Sequence, residues 1–364
     1  MSYDKQRHRQ AFFIQNRFEL GDNVFERRRI DESAHRLLRP HFVRKLFPSA
    51  FFTLCFDFFY QPNRPFQHGG QGHDARTVGI LCRIDMKQVK QIAAIGGMTN
   101  KNYKVMIDDQ NYVLRVPGNG TEKMISRVDE IKNAAFAHEI GVDADLIYFN
   151  EQTGIKISKF IEDAQTLSPE GAKKPYVMKK ICQLLNRLHQ CGREMENEFN
   201  VYEKIESYEQ LLNELKGEYY DDYQSVKQQV LQLKELMDDL EIKLAPCHND
   251  TLAENFIKDK QDQYYLIDWE YAGMNDPMWD VAAHCLENGF NSDEEELFLK
   301  TYFKQEPKES YKTRVLINKI YQDFLWSLWT KVKEASGDDF GDYGIERYNR
   351  AKENLKLLAD KLEG

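Results

Sequence analysis

No run of this chain stays apolar for the roughly 20 residues that a membrane-spanning helix needs. The longest candidate, residues 46–60, is broken by Pro48 and Asp57, and it lies too far from the amino terminus to serve as a signal peptide. Cysteines in metal or disulfide patterns are missing as well. Cys55, Cys82, Cys182, Cys191, Cys247 and Cys285 form no C-x-x-C pair, which argues against a disulfide scaffold or a structural zinc and fits a reducing, cytoplasmic setting. Nor is there a positive excess. The 364 residues carry 50 Lys and Arg against 59 Asp and Glu, a formal net charge of −9, so general nucleic-acid binding has no electrostatic footprint and any basic site is local. What remains is ordinary globular composition, 41% hydrophobic and 30% charged, in a chain long enough for two lobes.

Residue usage changes abruptly at one point. Residues 1–85 hold 12 Arg and 2 Lys against 9 acids, a net +5, whereas the rest of the chain nets −14. Twelve of the 22 phenylalanines and five of the nine histidines also precede Met86. The expectation is a poorly structured extension over 1–85, with Met86 as a candidate true start, followed by a functional domain.

From Met86 onward, residues 103–107 and 112–116 are short runs of β-formers around the polar turn 108–111, and a second pair flanks Asn150 to Gly154. These read as hairpins. Between them Met124, Val128, Ile131 and Ala135 recur at helical spacing until Gly141, predicting one amphipathic helix with those residues inward. After Glu162 the pattern turns helical, with Ile181, Leu184, Leu185 and Leu188 on one stripe and a Glu-, Lys-, Gln- and Leu-rich stretch over 208–240. The expected organisation is therefore a sheet lobe over 86–162 and a helical lobe over 163–364. The main exception to the helical pattern is a strand pair, 255–258 and 264–267, around the polar turn 259–263.

Chemistry concentrates at that exception. Cys247-His248-Asn249-Asp250 leads to Asn255, and Leu266-Ile267-Asp268-Trp269-Glu270 follows the hairpin. This is H-x-D-x-x-x-x-N with a downstream acid. Folding the hairpin symmetrically about Gln261 sets Asn255 opposite Ile267, so that its amide lies beside Asp268. Hard oxygens of this kind suit Mg²⁺ that also keeps nucleotide phosphates as ligands, and Asp250 on its loop is placed to accept a hydroxyl proton. Any one of these residues alone is ordinarily a solvated loop residue; the joint spacing is what points to a site. His248 reads as a buttress of the loop, since no second His or Cys lies at zinc-ligand spacing.

These residues resemble the choline/ethanolamine kinases, and most closely their bacterial LicA-type branch, within the kinase-like phosphotransferases. The resemblance runs from about Lys90 to the end and also takes in Tyr112-Val113-Leu114-Arg115-Val116-Pro117-Gly118, Asn275-Asp276-Pro277 with Asp280, and Leu325-Trp326-Ser327-Leu328-Trp329. It implies an α+β, bilobal protein-kinase-like fold with a small antiparallel-sheet N-lobe and a mainly helical C-lobe. It further implies Asp250 as catalytic base, Asn255 and Asp268 as Mg²⁺ ligands, and Arg115 on the nucleotide phosphates, paired with an acid for which Glu130 is the candidate. Gly96-Gly97-Met98-Thr99-Asn100 departs from the protein-kinase glycine loop, yet Thr99 and Asn100 are candidates for phosphate contact. Residues 158–162, with Phe160, would be the hinge for adenine.

The implied reaction is transfer of the ATP γ-phosphoryl group to the choline hydroxyl, giving phosphocholine. A quaternary ammonium offers no N–H donor, so aromatic faces beside a carboxylate hold it best. Trp326, Trp329, Tyr271 and Glu270 supply that chemistry, although core packing is the usual work of paired tryptophans. The rival readings are an ethanolamine kinase, an aminoglycoside-type phosphotransferase and a non-catalytic binding module of the same fold. Asp276, opening a helix before Pro277, reads as an N-cap, and Asp280 as a brace for the catalytic loop. No membrane or nucleic-acid partner is expected.

Overall fold

The computed structural model describes residues 88–96, 100–118, 123–240 and 242–363. The expectations for residues 1–85 and for Thr99 lie outside these described residues. Two compact units are present. The first contains the described residues up to Gly118 together with Ile147–Phe160; the second contains those of 119–146 and everything from Ile161 onward.

The first unit is a five-stranded sheet of β1 (Val89–Gly96), β2 (Lys101–Ile107), β3 (Gln110–Val116), β4 (Leu146–Phe149) and β5 (Lys156–Lys159), in the order β1-β2-β3-β5-β4. The β1–β2, β2–β3 and β3–β5 ladders are antiparallel. Alternate residues Val105, Ile107, Leu114, Ile155 and Ile157 bury one face, the period-2 pattern that β-branched and aliphatic residues favour. The first hairpin turn is shorter than the four polar residues 108–111 predict. Ile107 pairs with Gln110 and Met106 with Asn111, which leaves Asp108 and Asp109 alone at φ 45° and 68°. Two consecutive left-handed residues match the right-handed twist of the flanking strands.

The second unit begins with α1 (Arg127–Glu139), capped by Ser126, whose side chain accepts from the Asp129 N–H. Its buried face is not the predicted one. Val128 is exposed, while Glu130, Asn133, Ala134, Phe136 and Ala137 are buried. Polar groups can go inward here because they have partners: Asn133 Nδ2 donates to the Ala272 carbonyl at 2.7 Å and Glu130 accepts from Arg127 at 2.6 Å.

The remaining elements are β6 (Gln165–Thr166), α2 (Pro169–Ala172), α3 (Pro175–His189), α4 (Val201–Glu214), α5 (Tyr223–Asp238), β7 (Ala245–Cys247), β8 (Phe256–Lys258), β9 (Tyr264–Leu266), β10 (Gly273–Asn275), α6 (Pro277–Glu287), α7 (Ser292–Phe303), α8 (Glu309–Ala335) and α9 (Tyr343–Glu363). The predicted stripe of α3 is buried throughout, from Ile181 to Leu188, in a core shared with Phe256, Leu266 and Trp269. At about 1.5–3 kcal/mol per fully buried aliphatic side chain, that stripe anchors the hairpin carrying Asn255. A second core joins α4, α5, α8 and α9. The stretch 208–240 is split between α4 and α5 around Gly217, where a Cβ would collide with the Leu212 side chain and meet Ala335 Cβ at 2.9 Å. Among the described residues no helix is long and apolar enough to cross a membrane.

Candidate active site

The catalytic loop leaves β7, which pairs antiparallel with β10 through Cys247 and Gly273, and turns sharply at Asn249, a non-glycine residue at φ 65°. A left-handed asparagine is costly unless its surroundings hold it, and here they do. The Asp280 carboxylate accepts from the backbone N–H of His248 at 2.8 Å and of Asn249 at 2.7 Å. Trp279 Nε1 donates to the Asn249 carbonyl at 3.1 Å, and the Asn249 amide donates to the Tyr271 carbonyl at 3.0 Å while accepting from Asn275 at 2.9 Å. Asp280 is thus the expected brace, and Asp276 the expected cap, accepting from the Met278 N–H. His248, fully buried, donates from Nε2 to the Ile267 carbonyl at 2.9 Å. Burial holds its pKa below the usual value against the pull of Asp280, which suits a structural rather than an acid–base role.

Asp250 emerges from this loop half-buried. Asn255 Nδ2 donates to its carboxylate at 3.0 Å and to its backbone carbonyl at 2.8 Å. Both bonds use the amide nitrogen, which leaves Oδ1 as a hard oxygen donor. Burial, reinforced by the charges of Glu287, Asp268 and Glu270, pushes the Asp250 carboxyl well above the ordinary carboxylate range, with the Asn255 bond opposing.

The hairpin register is the one read from the sequence. Phe256 pairs with Leu266 and Lys258 with Tyr264, and the Ile267 N–H donates to the Asn255 carbonyl at 2.9 Å. Asp268 follows at φ 72°, a second left-handed residue, and its carboxylate gathers with those of Glu130 and Glu270. One oxygen from each lies within 4.8 Å of the others. Arg127 contacts Glu130 at 2.6 Å and Glu270 at 3.6 Å. Three carboxylates so close repel one another strongly in a partly buried site. They form a hard, anionic donor set that fits Mg²⁺.

Arg127 carries no distinguishing signal in the sequence, because an arginine in the first turn of a helix looks like solvated surface. Glu287 was missed too, although seven residues place it two turns from Asp280 on the same face of α6. Its charge acts on Asp250, and it is held in an ion pair with Arg347 of α9.

Of the aromatic candidates, Tyr271 and Trp326 meet edge to face, with centroids 5.1 Å apart at 72°. Trp326 is half-buried, whereas Trp329 is 8% exposed and packs on Phe340 at 5.0 Å. Tyr208, also missed, is buried and its hydroxyl is influenced by Tyr271, Glu270 and Asp250. Phe340 has no helical or strand pattern to reveal it, lying between α8 and α9.

In the sheet unit, Arg115 is buried on β3, donates to the Gly154 carbonyl at 3.4 Å and lies over the Phe149 ring at 5.4 Å. Asn100 is 3% exposed. The Phe160 N–H donates to the Asn111 carbonyl at 3.1 Å, and Lys104 sits over its ring at 4.0 Å.

Comparison with known proteins gives a consistent result. The profile of the choline/ethanolamine kinase family matches residues 89–352. Protein LicA of Haemophilus influenzae is 33% identical over 277 residues, covering 74% of this chain and 80% of that protein. The crystal structure of the choline kinase LicA from Streptococcus pneumoniae superposes with a TM-score of 0.67 at 40% identity, covering 74% of this chain and 94% of that one. A structure of LicA in complex with AMP gives 0.66, also at 40% identity, covering 74% and 92%.

Proposed function

The chain belongs to the choline/ethanolamine kinase family, and from that premise we propose that it transfers the γ-phosphoryl group of ATP to the hydroxyl of choline, giving phosphocholine and ADP. Its α+β architecture, an antiparallel sheet N-lobe with a mainly helical C-lobe, is protein-kinase-like. The observation that carries the reading is the paired Asp250 and Asn255, with Asp268 brought alongside by the β8–β9 register.

Asp250 orients the choline hydroxyl and accepts its proton as the oxygen bonds to the γ-phosphorus and the bridging P–O bond to ADP breaks. Its upward-shifted carboxyl favours taking that proton, and the Asn255 amide fixes which way the carboxylate points. Asn255 and Asp268 would hold Mg²⁺, with Glu270 and Glu130 completing the anionic surround; when bound, the ion neutralises charge on the transferring phosphoryl oxygens. Arg115, Asn100, Thr99 and Phe160 are assigned to the nucleotide. Tyr271 and Trp326 offer ring faces, and Glu270 and Glu287 carboxylates, to a cationic acceptor; Trp329 supports that wall from the core.

The deciding experiment is ADP release from ATP and Mg²⁺ with choline, ethanolamine or kanamycin as acceptor. The reading expects choline to give the highest kcat/KM. Preference for ethanolamine would shift weight from the rings to the carboxylates, and turnover of kanamycin alone would overturn it. ADP release that stays at background with all three acceptors would mark a non-catalytic fold.

A further inference from the structure

A buried chain of polar groups lies behind the catalytic loop, outside the groups assigned to substrate or metal. His189, the last residue of α3, reaches Asp280 of α6 with Nε2 at 3.0 Å and the Tyr302 hydroxyl of α7 with Nδ1 at 2.8 Å. The side chain of His189 is 1% exposed and that of Asp280 is 0%. Because the Asp280 carboxylate only accepts, Nε2 carries the hydrogen, and in the neutral ring Nδ1 accepts from Tyr302. The tautomer is thereby fixed from both sides.

The oxygen that meets His189 is also the one that receives the His248 N–H, while the other receives the Asn249 N–H. Any rotation of that carboxylate breaks one of the two backbone bonds that hold the left-handed turn into Asp250. We infer that His189 is a positioning residue for phosphoryl transfer: it locks the rotation of Asp280 and, through it, sets where the Asp250 carboxylate points. A displacement of about 1 Å at a base is enough to cost on the order of a hundredfold in rate. This inference rests on the assignment of Asp250 as the base.

Two substitutions at one position test it. Gln carries an amide nitrogen that reaches as far as the imidazole Nε2 and donates to Asp280; Asn carries the same amide one methylene shorter and falls short. Turnover is expressed per nucleotide-binding site, counted by calorimetric titration with ADP, so that unfolded protein does not enter. His189→Asn is expected to lower kcat ten- to a hundredfold with the KM values for choline and ATP within threefold of wild type, and His189→Gln to stay within threefold in kcat. Equal kcat for the two variants, or a wild-type kcat for His189→Asn, overturns the inference. An Asp250→Asn control separates the layers: full turnover there sinks the base assignment itself, whereas a dead Asp250→Asn beside a fully active His189→Asn sinks only the role of His189.

Discussion

Asn255 donates from a single amide nitrogen to both the carboxylate and the backbone carbonyl of Asp250, five residues earlier in the chain. One side chain therefore closes the loop and restrains the Asp250 carboxylate, while its Oδ1 takes no part in either bond. Asp250→Ala is expected to lower kcat by about 10²–10⁴, the usual worth of a positioned base, with ADP affinity unchanged within a few-fold. Asn255→Leu should lower kcat and also raise the Mg²⁺ concentration for half-maximal rate by at least about 10–100-fold, the cost of losing even a group that only orients a ligand. Kinetics against Mg²⁺ concentration distinguish the two, since Asp250→Ala leaves that requirement nearly unchanged.

Trp326 is the tryptophan to test for acceptor binding, because it meets Tyr271 and is half-buried. Trp326→Ala is expected to raise the choline KM by about 5–30-fold, corresponding to ~1–2 kcal/mol of lost cation–π attraction, with a smaller change in kcat. Trp329→Ala mixes this with a core cavity, since that ring is 8% exposed and packs on Phe340. It should therefore also lower the melting temperature, and a thermal scan beside the kinetics separates the contributions.

Arg127 provides the guanidinium in contact with Glu130 and Glu270, and its side chain is 10% exposed. Arg127→Met is expected to destabilise the metal-free protein by about 1.5–3 kcal/mol, the usual worth of a hydrogen bond to a charged group, since it withdraws one guanidinium from the carboxylate cluster. Mg²⁺ should restore more stability to this variant than to wild type. Thermal unfolding in EDTA and in Mg²⁺ provides the check; an equal Mg²⁺ increment in both proteins would remove Arg127 from the carboxylate cluster.

His284 is fully buried, with Nδ1 donating to the Thr251 carbonyl at 2.9 Å, and burial pulls its pKa from 6.5 down to about 4. The unfolded chain then binds a proton that the folded protein refuses between those values. Stability is lost as pH falls from 6.5 toward 4, by about 2 kcal/mol between pH 7 and pH 5. His284→Gln cannot titrate, so its urea midpoint should fall less over the same interval. Parallel midpoint shifts in both proteins would remove His284 as the cause.

Much of the catalytic hairpin was legible from residue order alone. A polar turn flanked by β-formers, with Asn255 and Ile267 equidistant from Gln261, admits one register in which Phe256 and Leu266 face the core, and both are fully buried. The face of α1 was not legible. Periodicity assumes that apolar residues go inward, yet Val128 is exposed and Glu130 buried, because Arg127 and the neighbouring carboxylates offer a partner that no hydrophobic count registers. Tyr208, Glu287 and Phe340 stayed hidden for a related reason: they come from α4, from α6 and from the segment between α8 and α9, so nothing local in the sequence links them.

The order of residues settled the chemical inventory and the local geometry, namely two aspartates and an asparagine at spacings that a loop and a tight hairpin can satisfy, since those contacts span few residues. Folding in three dimensions decided the rest: which helix faces turned inward, which guanidinium met which carboxylate, and how His189 and Tyr302 came to stand behind Asp280. Those pairings join residues far apart in sequence, His189 lying 91 residues from Asp280 and 113 from Tyr302, where chain connectivity imposes almost no constraint and the collective burial of two cores fixes the outcome.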